Sequence, residues 1–323
     1  MRIKLAAITL LLTLISCGDK QKKQVDVSNI AMDAEIVRFE EKMYGKSELP
    51  DLEKITKLRA EFPLFFDPQM PDSIYVKKMN FEQNQALYKE VKGVFPNLDK
   101  QKKEIVELFK HVKYYYPKFK APKVITTFSD YDYTSNVIYA DSLLFVSLDI
   151  YLGKSSPVYE GVPPYIVENF EASRMPVDIA KEFALRLNPM RKNRTFIEKM
   201  VSKGKVMYAL ELLVPNSTDA QKIGYSEEKL AWTEANELPI WKYFVQNDLI
   251  YSTDSELPNR FLNDAPFSKF YLETDAESPG RIGEWVGWQI VRSYMKNNDV
   301  TLHQLFLTDE DEIFKKSKYK PKK

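Results

Sequence analysis

Apolar residues recur at three- and four-residue steps through most of this 323-residue chain, and only one stretch shortens to the rhythm of strands. Leu52, Ile55, Leu58 and Phe62 predict a helix from Asp51 as N-cap to the stop at Pro63. A second helix is read over Phe81–Lys92, ended by Gly93 and Pro96. A long amphipathic one follows Asn97 through Leu98, Ile105, Leu108 and Val112 to about Tyr115. Ala34–Tyr44 reads as a short strand running into a helix. The runs Val124–Phe128, Val137–Ala140 and Leu143–Leu148 are β-branched and aromatic, and polar turns separate them. They predict three short strands, the only sheet the pattern offers. Helical spacing then resumes over Tyr165–Phe170, Ser173–Pro189, Thr195–Leu213 and Glu227–Gln246, with Pro239 as a kink. It continues over Ser278–Met295 and from Thr301 through Phe306, while Phe261–Phe270 reads as loop with a short helix. The fold class is therefore α+β, mostly helical, one domain over residues 31–314 with a small three-stranded antiparallel sheet.

The Ser173–Pro189 segment organises the rest. Pro176 suits the first turn of a helix and Pro189 stops it, while Val177, Ala180, Ala184 and Leu187 form an apolar stripe. A zinc peptidase would place two histidines four residues apart on such a central helix. Here the residues so spaced are Asp178 and Glu182. Asp178 in the first turn suits the helix dipole, and Glu182 with Arg186 reads as an i,i+4 pair on the surface.

Composition narrows the classes of function. With 44% hydrophobic and 13% aromatic residues the chain can bury a core, and a formal charge of +1 offers no electrostatic case for nucleic acid. Only ten glycines are present, three of them (Gly280, Gly283, Gly287) beside two of the four tryptophans in Ser278–Met295. No Gly-Lys-Ser/Thr accompanies them, so that cluster predicts close helix packing and not a phosphate cradle. No cofactor is implied. The N-terminus is the most specific stretch. Arg2 and Lys4 precede the apolar run Leu5–Ile15, which is too short to span a bilayer comfortably and ends in Leu-Ile-Ser-Cys17. This resembles a bacterial lipobox, with cleavage of a 1–16 leader and acylation of Cys17, the only cysteine. Losing Arg2 and Lys4 with the leader turns +1 into −1. Residues 17–30 then form a lipidated tether whose Gly18–Val27 stretch reaches roughly 30 Å. A lipidated Cys17 leaves no free thiol for disulfides or nucleophilic catalysis. Residues 315–323, with six lysines in nine, read as a mobile solubilising tail, with contact to an anionic envelope surface as the alternative.

Other candidate chemistry is sparse. His111 lies between Lys110 and Lys113 and reads as a surface residue. Asp130 and Asp132 lack the Gly and closing Glu of a calcium loop and read as a polar turn. Glu234, Glu237 and Asp248 are the other acids grouped near aromatic residues, as a carboxylate-based hydrolase of sugars would require. The abundance of Tyr and Trp also admits a solute-binding lipoprotein.

Four features together resemble the GldB family of gliding-motility lipoproteins of gliding Bacteroidota. They are the lipobox, Ser147-Leu-Asp-Ile-Tyr-Leu-Gly153, the helix opening at Met175-Pro176, and Ser278-Pro-Gly-Arg-Ile-Gly-Glu-Trp-Val-Gly287. Ser317-Lys-Tyr-Lys-Pro321 fits as well. The resemblance implies a membrane-anchored envelope component needed for gliding, on the outer membrane facing the periplasm. Its partners would be other proteins of the gliding and secretion apparatus. The family is itself similar in layout to zincin-like peptidases. Carried over, the two histidines would fall near Asp178 and Glu182, the general base near Ile179, and a glutamate ligand near Lys203 before Gly204. None matches, and zinc needs three good ligands with one position open. The expectation is a non-catalytic, pseudoenzyme-like scaffold with Asp178, Glu182 and Lys203 marking a degenerate site. A zincin-like hydrolase with non-standard ligands stands as the alternative.

Overall fold

The structure is a computed structural model that describes residues 25–130, 132–134, 136–189 and 191–323. The leader, Cys17 and most of the tether lie outside the described residues.

The sheet has four strands: β1 (Ile36–Arg38), β2 (Lys123–Thr127), β3 (Val137–Ala140) and β4 (Leu143–Ser147), in the order β1-β2-β4-β3. This corrects the three-stranded antiparallel expectation. Only β3 and β4 are antiparallel, joined by a two-residue turn with Asp141 at φ 52° and paired Ile138 to Phe145. The loop after β2 carries the chain across to the far edge, so β4 returns between β2 and β3 and runs parallel to β2, Val124 opposite Leu144. β1 joins β2 in parallel, Ile36 opposite Val124. The short strand running into a helix predicted over Ala34–Tyr44 is β1, followed at once by the helix Phe39–Tyr44; its partner is remote in sequence, so only the fold places it in the sheet.

Five helices frame the core: α1 (Asp99–Tyr115), α2 (Met175–Leu187), α3 (Phe196–Leu213), α4 (Ile282–Asn297) and α5 (Glu310–Ser317). α3 is central and touches the other four. It begins on a capping box in which the Thr195 hydroxyl accepts from the Glu198 amide while the Glu198 carboxylate accepts from Thr195 N–H. α3 crosses α4 at two glycines. A Cβ on Gly204 would lie 2.2 Å from the Gly287 carbonyl oxygen, and one on Gly287 would lie 1.9 Å from that of Met200. The glycine–tryptophan cluster is therefore close helix packing, with Trp288 fully buried beside it.

Several local readings shift. The stretch Glu227–Gln246 divides at Asn236 into two helices, and Pro239 falls in the first turn of the second, where its missing N–H costs nothing. Ser278 does not cap α4. The Ser278 hydroxyl bonds Ser268, Gly280 packs on the Ala265 backbone, and the helix starts only after Arg281 in the left-handed region. The helices Asp72–Asn80 and Asp219–Ile223 escape the pattern, because Ile74, Tyr75 and Val76 are consecutive and not at helical steps, and the second is only five residues long. His111 is 1% exposed, because it lies on the same α1 stripe as Leu108 and Val112; its Nδ1 is 3.0 Å from the Glu107 carbonyl oxygen. The lysine tail is docked: the Tyr319 hydroxyl donates to Glu237 at 2.8 Å, and its ring packs on Trp241.

Candidate functional site

α2 lies along the edge strand β3 and is fastened to it at both ends. Asp178, Glu182 and Arg186, at successive i,i+4 steps, share one face. Near the helix start, Asn136 Nδ2 donates to Asp178 at 2.9 Å. Near its end, Arg186 donates to the Tyr139 carbonyl at 2.7 Å and lies over the Tyr139 ring, 5.4 Å from its centroid. Arg186 is thus committed to the strand, and the expected Glu182–Arg186 pair does not form.

Asp178 is a half-buried hub and not a helix-end surface charge. One carboxylate oxygen accepts from Arg174 Nη2 at 2.9 Å; the other accepts from Asn136 and, at 3.0 Å, from the Tyr151 hydroxyl. The Arg174 and Asp178 side chains are each 11% exposed. Tyr151 is wholly buried, and that burial, followed by the Asp178 charge, pushes its hydroxyl well above the usual tyrosine range. Tyr151 therefore stays a donor. Arg174 also bonds the Gln221 carbonyl, which ties α2 to the segment after α3. These partners leave Asp178 little capacity to bind a metal. The spacing of Arg174, four residues before Asp178, is the signal that could have found that pair; Tyr151 lies in the Ser147–Gly153 stretch, but no spacing joins it or Asn136 to Asp178.

Glu182, one turn on, differs. It is half-buried, and that burial raises its carboxyl above the ordinary value. It makes no hydrogen bond or ion pair among the described residues. Lys203 is half-exposed on α3 and bonds neither carboxylate. Its neighbour Lys205 is fully buried instead, donating to Glu310 at 2.7 Å and to the Thr308 carbonyl at 2.6 Å. Burial lowers the Lys205 pKa, and the bond to Glu310 opposes that. Asp178 and Glu182 share one face of α2, and Lys203 forms an ion pair with neither. Among the described residues no group of three or more His, Cys, Asp or Glu side chains is arranged to hold a metal ion. Glu237 is buried against Tyr319, whereas Glu234 and Asp248 are exposed. Asp130 and Asp132 form a turn, the first paired with Lys78 and the second accepting from Thr134.

A groove of about 870 Å³ opens on another face, walled by Lys154, Pro157, Val162, Tyr165, Lys229 and Pro266. At one end is a polar hollow of about 20 Å³, where Gly280 and Arg281 meet Tyr225. Arg281 is spent on its own chain: it pairs with Asp264 at 3.0 Å and Glu284 at 3.3 Å, and donates to the Gly224 carbonyl. The Ser278–Gly287 stretch thus serves the fold, first through this arginine and then through the glycine crossing.

A sequence model of gliding motility protein GldB matches residues 20–321, nearly the whole chain. The chain belongs to the GldB family. Membership makes it a gliding-motility-associated lipoprotein of the cell envelope, in a family not known for enzymatic activity. No curated protein and no solved structure matches the chain. Among the described residues no helix is long and apolar enough to cross a membrane.

Proposed function

We propose that this GldB-family protein is a non-catalytic scaffold, held by lipid on Cys17 at the outer membrane facing the periplasm, which works through contacts with other gliding and secretion proteins. The observation that carries the non-catalytic half is the state of Asp178. The carboxylate at the first ligand position of a peptidase-like helix is bonded to Arg174, Tyr151 and Asn136 and serves as a structural tie. A sheet that precedes the central helix in the chain is consistent with the zincin-like layout, and Lys203 at the third ligand position opposes a cation. In this reading Asp178, Glu182 and Lys203 are the remnant of a metal site.

The anchoring half is tested by Cys17→Ala. The variant is expected to leave the membrane fraction and to abolish gliding; release with normal gliding would sink it. One observation favours a second reading, a hydrolase with non-standard ligands: Glu182 makes no hydrogen bond or ion pair among the described residues, and burial raises its pKa. Metal analysis of the purified protein decides between the two. Stoichiometric zinc that disappears in Glu182→Ala would make it an enzyme candidate; the scaffold reading expects no bound metal in either protein.

A further inference from the structure

The lysine-rich C-terminus is a held surface. Ser317 is 1% exposed, and its carbonyl accepts from Ser293 and Asn297. Lys318 then turns the chain through the left-handed region at φ 54°, and Tyr319 is fastened to Glu237 and Trp241. The acids of α5 and its cap are all taken: Asp309 faces Arg191, Glu310 holds Lys205, and Asp311 and Glu312 pair with Lys315 and Lys316. Lys318, Lys320, Lys322 and Lys323 are exposed and have no acidic partner among the described residues. Apolar surface borders them. Val245, one turn beyond Trp241, is 49% exposed, and Tyr251, whose ring faces Phe314, is 56% exposed.

We propose that this face is a second membrane contact, in which the four lysines meet the phosphate groups of an anionic bilayer while Val245 and Tyr251 lie at the interface. The charge is complementary, and the bonds of Ser317 and Tyr319 fix where the segment leaves the body, which lowers the ordering entropy that opposes contact. Four lysines alone give weak, salt-sensitive binding. The contact becomes effective because a lipid tether keeps the surface near the bilayer, and to that extent it rests on the Cys17 reading. Two attachment points would set the orientation of the body on the membrane, which a single tether leaves free.

The test uses the full lipidated chain on vesicles of phosphatidylcholine alone or mixed with phosphatidylglycerol. Lysine acylation is followed residue by residue by mass spectrometry. Lys318, Lys320, Lys322 and Lys323 are expected to react severalfold more slowly on the anionic vesicles, with high salt restoring the rate. The exposed Lys57 and Lys89 should not change. Replacing the four lysines by Gln should abolish the preference for anionic vesicles, on the order of fivefold per lysine, without altering the thermal midpoint. Equal reactivity on both vesicles would overturn the proposal and leave an acidic protein surface as the partner of these lysines. A chain that fails to float with neutral vesicles refutes the lipid anchor instead; flotation on anionic vesicles at low salt then decides the lysine face separately.

Discussion

Asp149, just beyond β4 and 2% exposed, accepts from the Ser129 amide at 2.8 Å and the Ser129 hydroxyl at 2.6 Å. Burial pushes its carboxyl up to about 6 in spite of those bonds. Unfolded, it titrates near 4. Between these values the folded chain keeps a proton that the unfolded chain has lost, so this residue's contribution to stability falls as pH rises from about 4 to about 6 and stays low above. The loss is about 3 kcal/mol. Asp149→Asn, which keeps an acceptor for Ser129, is expected to remove that slope and to raise neutral-pH stability by about 2 kcal/mol. Denaturant titrations at several pH values check this, and an unchanged slope would contradict it. Asp178 is tested by removing its partners' acceptor, since Arg174, Asn136 and Tyr151 all donate to it. Asp178→Ala strands Arg174 and Tyr151 and is expected to cost about 3 kcal/mol; a cost below about 1 kcal/mol would mean the hub is not structural. Both carboxylates were visible in the sequence, but their roles were not, because burial and partners remote in sequence determine them.

At the scale of elements, the glycine cluster was legible as close packing, though its counterpart Gly204 was visible only as a neighbour of Lys203. Gly287→Ala would drive a methyl group into the Met200 carbonyl, a backbone atom that cannot rotate away, and is expected to cost about 3 kcal/mol. Gly93→Ala in the Glu82–Val94 helix meets nothing within 4 Å and should gain about 0.5–1 kcal/mol. Thermal melts of the two variants should move in opposite directions. The α3–α5 clasp behaves as buried ion pairs do. Glu310→Ala leaves Lys205 without its partner and is expected to cost about 3–5 kcal/mol, whereas replacing both by Met should cost far less. Nothing in the spacing announced this clasp, because Lys205 reads as one more polar residue within a helix. The edge of β3 is guarded by Arg186, which occupies the Tyr139 carbonyl and limits pairing with another strand.

Across the whole molecule, one hydrophobic cluster extends from Ala34 to Ile313 and includes the sheet and all five framing helices. Residues 31–314 are accordingly expected to unfold in a single calorimetric transition. Two separated transitions would divide the chain into two domains. The docked C-terminus belongs to the same body through Ser317 and Tyr319, so composition alone misjudged that tail. The six lysines are exposed, but Tyr319 between them is held by Glu237 and Trp241, which the composition of the tail does not reveal.

Sequence by itself determined the helical class, the three runs β2, β3 and β4, the close packing of the Gly280–Gly287 cluster and the family, because each rests on local periodicity, on residue types with narrow uses, or on motifs read in order. Only the tertiary structure decided the strand order and the recruitment of β1. It also decided the burial of His111 and Lys205 and the conversion of Asp178 from a candidate ligand into a tie among Arg174, Tyr151 and Asn136. Those outcomes depend on which distant segments meet, and on whether water or protein then surrounds each charge.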